Sequence, residues 1–511
     1  VHQADLMERE EGLGGVLMFS ERVVLLFCWR PQDDVEKGAP STLRTRMTSH
    51  MDHDDIARKR AERARRKLDQ SQNVSASTPD TARCEKPAVA DREWMHINHD
   101  VPVEQDARRV RLVSWNMLAQ SLVRRELFPG SDCLKLKTRL PGIVAEMISH
   151  DNDLGCFQEV DSINEIAPSI RQAGFDFVYE RGYEEKKHGL MIMWKTKAST
   201  RATFESPVWK KVVRLDDVDK WGDTVDGPSL SRCTRNILLI VALPFSSGPG
   251  GIIVATTHLF WHPRYGYERA RQAAVIMREL SSLRAASQED WSSWPIVLAG
   301  DLNDQPHSST YTLLTGQAAQ YRDQIRTDLM ASRVVHTSVD ESRGLRTVHY
   351  AATVTEAGDE DRVLGRHRAP KENELLLPDE IVAFAQFDAG PTRPGHFRSA
   401  YGSHYAQLGP HAEFFRDRGT APERYDQTES PIPTDQRQLQ SFEPKWTLFS
   451  PLFRLTLDYI LLAPRAHVQG PDFPVVTALL SLSPESVLHP GVPRVSVCSS
   501  DHIMIGAELA L

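Results

Sequence analysis

The apolar positions of this chain fall in short runs, and each run is bordered by a residue able to take part in chemistry. Val110, Leu112 and Ser114 alternate with Arg111 and Val113, a period-two pattern that predicts a strand closing at Asn116. Residues 154–158 predict a short buried strand delivering Glu159, and residues 252–257 an unbroken β-rich run ending at His258. Residues 295–299 read as another buried strand before Gly300-Asp301. Further strands are expected at 175–179, 190–194, 236–243, 455–462 and 503–509.

Between them lies the helical spacing of Ile143, Val144, Met147 and Ile148, and a second helix over 164–173 that Gly174 would stop. Ala270, Ala273, Ala274, Met277 and Leu280 mark a helix over 268–283, and residues 308–314 one more. Strands interleaved with helices and hairpins predict an α/β layered fold with two packed sheets.

Outside this pattern the chain is less regular. Residues 318–398 are rich in charge, strongly acidic at 356–361, and residues 417–438 carry several prolines; both read as surface insertions. The run Arg58-Lys59-Arg60-Ala61-Glu62-Arg63-Ala64-Arg65-Arg66-Lys67 favours helix, with Asp54 and Asp55 suited to its N-terminus. It reads equally as a nuclear or RNA-gripping segment and as a solvated charged helix. Ser, Thr, Pro and Ala dominate residues 71–91, a flexible linker by composition. The expected organisation is a leader over 1–50, a basic helix over 51–70, a linker over 71–107 and one catalytic domain over 108–511. The chain opens on Val1, and its first residues read as a truncated or mistranslated gene end with Met47 and Met51 as candidate starts; the leader is expected to be disordered. The apolar stretch 16–29 is too short to span a bilayer and is broken by Glu21 and Arg22, so no membrane partner is expected.

Composition changes the picture little. Of 511 residues, 40% are hydrophobic and 25% charged, ordinary for a globular protein, and the net charge of −8 excludes a protein that coats nucleic acid by bulk charge. Six scattered cysteines without a Cys-x-x-Cys pair suggest neither a zinc ribbon nor a disulfide framework, and point to a reducing, intracellular setting in nucleus or cytoplasm.

The chemistry lies at the run ends: Ser114-Trp115-Asn116, Phe157-Gln158-Glu159, Thr257-His258, Gly300-Asp301-Leu302-Asn303, Leu457-Asp458-Tyr459 and Ser500-Asp501-His502. Singly, each is more often a turn or a solvated strand end. Together they would bring carboxylates, amides and imidazoles to one sheet edge, suited to a divalent cation and a phosphate. Glu159 is then the first metal ligand, since magnesium takes one or two carboxylates and completes its octahedron with water and phosphate. Asp301 would accept a proton from the attacking water, Asn303 would donate to a phosphate oxygen, and Asp458 would fix the tautomer of His502. His258 would donate to the phosphate, Asn116 would bind phosphate or a metal-bound water, and Asp501 adds a carboxylate. Trp261 and Tyr265 have the ring faces to stack bases of a single strand, while Phe260 reads as core.

These segments resemble the endonuclease/exonuclease/phosphatase superfamily over about residues 108–511. Trp115-Asn116-Met117-Leu118-Ala119 and Thr257-His258-Leu259-Phe260-Trp261-His262-Pro263, with Arg269 and Gln272 downstream, look like its deadenylase branch, which includes nocturnin, Angel proteins and fungal Ngl-type RNA exonucleases. The resemblance implies a four-layered α/β sandwich, two packed central sheets flanked by helices, with a magnesium site at one end. It implies that Glu159, Asn116 and Asp501 serve the metal (Mg2+, or Mn2+), and that Asp301, Asn303, His258, His502 and Asp458 serve catalysis. Arg235 and Asn236 match a substrate-facing segment, and Arg232 and Arg214 are candidates to hold the scissile phosphate. The implied activity is a 3′-to-5′ exonuclease on single-stranded RNA, working as a monomer and without the leucine-rich-repeat adaptor of many branch members. A phosphatase acting on a nucleotide cofactor or another small phosphoester and a non-catalytic RNA-associated scaffold are the alternatives.

Overall fold

In the computed structural model the described residues are 90, 92–97, 107–197, 201–218, 231–286, 290–316, 322–344, 367–385, 396–404, 443–465 and 473–511. The expected leader, basic helix and 417–438 insertion lie outside them. What is described belongs to the unit Lys86–Leu511.

Two mixed sheets pack face to face. The first runs β1 (Trp94–His96), β16 (Val475–Leu480), β17 (Ile505–Ala510), β2 (Arg109–Asn116), β3 (Leu154–Val160), β5 (Gly189–Lys195), β4 (Phe175–Glu180). The second runs β12 (Arg398–Ser399), β15 (Asp458–Leu462), β9 (Ile296–Asp301), β8 (Gly251–His258), β7 (Ile237–Pro244), β6 (Trp209–Arg214). Two small ladders pair β10 (Val335–His336) with β11 (His367–Arg368), and β13 (Leu448–Phe449) with β14 (Arg454–Leu455). The main helices are α1 (Leu136–Ser149), α2 (Ile163–Gln172), α3 (Gly266–Ala286), α4 (Ser309–Thr315), α5 (Arg322–Ala331), α6 (Thr337–Ser342) and α7 (Pro378–Ala385).

The unbroken apolar runs follow from burial on both faces. Leu239, Val241 and Leu243 of β7 join the core shared with the first sheet, while Leu238, Ile240 and Ala242 join the core under α3. Val297 and Ala299 of β9 separate in the same way from Ile296 and Leu298, as do Ile460 and Leu462 of β15 from Tyr459 and Leu461. Ile143 and Met147 of α1 and Ile166 and Ile170 of α2 cover the first sheet. The result is the layered sandwich, helices outside and two sheets within.

Pairing directions then decide where the chemistry goes. β2 and β3 are parallel, β8 and β9 are parallel, and β7, β15 and β17 run antiparallel to their neighbours. The C-terminal ends of β2, β3, β8 and β9 therefore share an edge with the N-terminal ends of β7, β15 and β17. Asp458 sits opposite Asp301 in the ladder, and Asp301 opposite His258. Asp458 and His502 thus border strands at their starts, where an antiparallel course needs them.

Two expectations are corrected. The linker over 71–107 contains β1, which pairs antiparallel with β16. Arg92 anchors it by donating to the Ser481 carbonyl at 2.7 Å and pairing with Glu146 at 3.3 Å. Three residues are too few to show a period, so composition alone suggested a linker. The 318–398 stretch, expected as a surface insertion, places Leu329, Val335, Val339, Ile381 and Phe384 in the core under α3. Its elements are short, and their apolar positions are too scattered to register as periodic. Strands β6 and β16 were also not anticipated.

One buried acid offers a test. Glu443 accepts the Tyr311 hydroxyl at 2.7 Å, and burial pushes its carboxyl up to about 7 from 4.5. A raised carboxyl contributes stability that is complete below about pH 4.5 and is lost as pH climbs through 7. Glu443→Gln, neutral at every pH, should therefore gain about 2–3 kcal/mol relative to wild type between pH 5 and pH 8. Urea unfolding across that range checks this; a pH-independent difference would show that the carboxyl does not titrate near neutrality.

Candidate active site

At the shared edge a side chain of the first sheet joins the second. Asn116, at the end of β2, donates from Nδ2 to Glu159 Oε1 at 3.2 Å and to Asp301 Oδ2 at 3.0 Å, while its Oδ1 accepts the Leu118 amide at 3.0 Å. Glu159 leaves β3 at a bulge with φ of 58°, a left-handed conformation that turns its carboxylate out of the ladder. Its Oε2 accepts the Ala119 amide at 2.8 Å. Burial raises the Glu159 pKa, the Ala119 amide opposes that, and the negative charge of Asp501 adds to it.

Asp301 closes β9, 1% exposed. Its Oδ1 accepts the Asn303 amide at 2.7 Å. Nε2 of His258 and Nε2 of His502 each stand 3.7 Å from its Oδ2. Burial, with the nearby Asp458, pushes Asp301 up to about 7, against the pull of His502 and Asn116. Asn303, at φ of 49°, spends one amide hydrogen on the Leu259 carbonyl at 2.8 Å.

The two imidazoles are driven apart electrostatically. Burial and the proximity of His188 and Lys186 push His258 well below its usual pKa, leaving it neutral. Burial works against charge on His502, but Asp458, whose Oδ2 lies 2.8 Å from His502 Nδ1, together with Asp301 and Asp501 outweighs it and holds the ring well above the usual value. The same Asp458 Oδ2 accepts the Thr447 hydroxyl at 2.6 Å. Asp458 Oδ1, also buried, has no hydrogen-bond partner among the described residues.

Two sets of ligand atoms could hold a cation. Asp301, Asp458 and His502 bring theirs within 4.8 Å of one another. That cluster suits proton chemistry better, because Asp458 Oδ2 is taken up by Thr447 and by an imidazole held protonated. Glu159 and Asp501 are the other candidates: the charge of Asp501 acts on Glu159, whose side chain is still 12% exposed, and a hard divalent cation would relieve that repulsion.

The remaining expected residues fall into two groups. Trp261 is half-buried beside this edge, its ring 4.9 Å from that of His262. Arg235, at φ of 58°, gives its carbonyl to Lys186 Nζ at 2.9 Å, its own amide donating to Asp216 at 2.7 Å. Asn236 is buried, donates to the His258 carbonyl at 2.7 Å and accepts from Gln272 at 3.2 Å, so it braces the His258 turn. Arg232 is a correction: it is 3% exposed and lies over the rings of Phe260 and Tyr265 at 4.8 and 5.2 Å, an interior position instead of a phosphate contact. Tyr265, 5% exposed, is likewise interior and presents no free face to a base. Arg214 is partly exposed, covering Tyr183 at 4.9 Å.

Sequence reasoning missed Thr447, which sits in no recognisable pattern, and a small open cleft beside His258 lined by Arg181, Lys186, His188, Gly189, Leu190 and Ile237. The run Glu184-Glu185-Lys186-Lys187-His188 is charged or polar throughout and has no apolar period to mark part of it as a cleft wall.

With this geometry the family is defined. Residues 113–502 match the Endonuclease/Exonuclease/phosphatase family, and the chain belongs to it. The chain is 31% identical over 291 residues to "Probable RNA exonuclease NGL3" of Saccharomyces cerevisiae, covering 53% of this chain and 54% of that protein. It is 32% identical over 258 residues to "RNA exonuclease NGL2" of the same yeast, covering 46% and 47%, and 28% identical over 266 residues to "Protein angel homolog 2" of Homo sapiens, covering 47% and 46%. The match thus spans about half the length of these relatives. Among solved structures, ANGEL2, a 2′,3′-cyclic phosphatase bound to adenosine-2′,3′-vanadate, is similar with a TM-score of 0.49 at 20% identity, covering 82% of this chain and 98% of that one. No helix among the described residues is long and apolar enough to cross a membrane.

The turn that aims Asp301 can be tested directly. A Cβ on Gly300 would lie 2.1 Å from the Thr257 carbonyl oxygen, backbone that cannot step aside. Gly300→Ala should cost about 1–3 kcal/mol or more in urea unfolding, since β8 and β9 must separate to admit it. A cost under about 0.5 kcal/mol, the range of an indifferent surface substitution, would show that the ladder yields easily there.

Proposed function

We propose that this chain is a divalent-cation-dependent 3′-to-5′ RNA exonuclease that releases nucleoside 5′-monophosphates. The reading is carried by Asp301: a buried carboxylate near neutrality in pKa, flanked at 3.7 Å by one neutral and one protonated imidazole, and joined through Asn116 to Glu159. The similarity to yeast proteins named RNA exonucleases supports RNA as the substrate class.

In this reading Glu159 and Asp501 hold magnesium or manganese, which when bound neutralises phosphoryl charge and stabilises the leaving oxygen. Asn116 orients Glu159 and Asp301 through its Nδ2 hydrogens, and its Oδ1, bonded once to the Leu118 amide, keeps a second lone pair for the cation or a water bound to it. Asp301 takes a proton from the attacking water; a base near pH 7 is matched to that task. His502, kept protonated by Asp458, donates from Nε2 to a phosphoryl oxygen, and Asn303 has a second amide hydrogen for the same purpose. His258 contributes a neutral ring whose backbone Asn236 holds in place. The cleft with Arg181 and Lys186 gives cationic walls to the phosphate backbone, and Trp261 a ring for a base. A scaffold that had kept only the fold would have no need to keep Glu159, Asp301, Asn303 and His502 together.

The test uses the full chain, magnesium or manganese, and a 5′-labelled oligoadenylate with a free 3′-hydroxyl. Stepwise shortening with release of AMP, abolished by chelation, is expected. Glu159→Gln should lower the rate about 100-fold or more. Lys186→Ala should raise KM several-fold with kcat nearly unchanged, the mark of lost ground-state binding. An intact RNA alongside phosphate release from a nucleotide cofactor would replace this reading with the phosphatase one.

A further inference from the structure

Beneath the carboxylates lies an arginine that the proposed chemistry does not use. Arg139, on α1, is fully buried at 0% exposure. Its Nε donates to the Ser499 carbonyl at 2.8 Å, and one terminal nitrogen donates to the carbonyls of Met117 at 2.5 Å and Leu118 at 2.6 Å. The other reaches Gln120 Oε1 at 3.4 Å. These partners are the turn after β2, which supplies the Ala119 amide to Glu159, and the loop that carries Asp501. Ser500 joins the same two segments by donating to the Asn116 carbonyl at 2.7 Å.

The structure assigns Arg139 as a positioning residue for the cation-binding carboxylates: its planar guanidinium locks the Met117–Leu118 turn to the Ser499–Asp501 loop and so fixes Glu159 and Asp501 relative to each other. Three observations carry this. Leu118 sits at φ of 55°, a conformation a leucine adopts only when held, and its carbonyl is one of the two on the guanidinium. Helix α1 presses on the loop so closely that a Cβ on Gly142 would lie 2.2 Å from Ser499 Oγ. Burial works against the charge of the guanidinium, and Asp501, Asp161 and Glu159 oppose that, so the arginine interacts electrostatically with the acids it positions. Lysine cannot substitute, because three donors radiating from one nitrogen do not span carbonyls presented along a fork.

The inference rests on the reading of Glu159 and Asp501 as a cation site, and the experiment separates the two. Manganese binding by the full chain is followed by electron paramagnetic resonance in wild type, Glu159→Gln, Arg139→Lys and Arg139→Gln. Arg201→Gln serves as control: Arg201 pairs with buried Asp153 at 2.9 Å, at the opposite end of β3. In Arg139→Lys the manganese dissociation constant should rise about 10-fold or more, as for other groups that orient ligands without touching the metal. Its kcat should fall while substrate KM at saturating manganese stays close to wild type. Arg139→Gln should be worse than Arg139→Lys, and Arg201→Gln should keep wild-type manganese affinity even where its melting temperature drops. Wild-type affinity in either Arg139 variant overturns the assignment, and so does failure of both to fold while Arg201→Gln folds, since the role would then belong to the fold. Absence of manganese binding in the wild type, or undiminished binding by Glu159→Gln, overturns the cation site itself.

Discussion

The site depends on one amide placed between two carboxylates from different sheets. Asn116 reaches Glu159 within its own sheet and Asp301 across the interface, at 3.2 and 3.0 Å. Two buried acids this close repel each other, and each loses hydration that must be replaced by donors. Asn116, the Ala119 amide and the Asn303 amide supply those donors. Sheet packing and site geometry are therefore one constraint: sliding either sheet by a residue would separate the carboxylates and leave both without partners. Gln158 repeats the device one residue deeper, its amide reaching Thr256 of the second sheet at 3.0 Å.

Much of this was legible in the sequence because strands buried on both faces must be unbroken apolar runs. Polar residues at their ends are then conspicuous. The runs before Asn116, Glu159, His258 and Asp301 could be read as strands whose final residues leave the core, and all four meet. His502 was legible for the opposite reason, as a polar residue before a run, and Asp458 as a lone acid inside one. Pairing direction, which the sequence does not state, makes the two cases equivalent.

What escaped reading escaped for physical reasons. Arg232 carries a charge that suits a phosphate, the role expected of it; the rings of Phe260 and Tyr265 instead provide faces for its guanidinium inside the fold. Asn236, expected to face the substrate, directs its hydrogen bonds to the His258 carbonyl and to Gln272, partners distant in sequence. Strand β1 is three residues long and finds its place through Arg92 and the Trp94 indole, which donates to the His150 carbonyl at 2.8 Å. Helices α5, α6 and α7 have apolar positions too scattered to display a period, so their burial under α3 follows from tertiary packing that no local window contains.

Backbone conformation gives the same edge a further signature. Leu118, Glu159, Arg235 and Asn303 all hold positive φ; Glu159 sits at the bulge near the end of β3, and the other three lie within two residues of a strand end at this edge. Such conformations cost non-glycine residues about 1 kcal/mol or more apiece and persist only where surroundings fix them. The fixing contacts here are specific. The Leu118 carbonyl is held by Arg139, the Glu159 carboxylate by Ala119, the Arg235 amide by Asp216 and the Asn303 side chain by the Leu259 carbonyl. A chain selected for stability alone would place glycine at these positions and relieve the strain. Retaining a carboxylate, an amide and a cation there makes sense if what matters is the direction in which those groups point. Strain, buried like charge and opposed imidazole pKa values thus coincide at one edge of the sandwich, and ordinary packing accounts for none of the three.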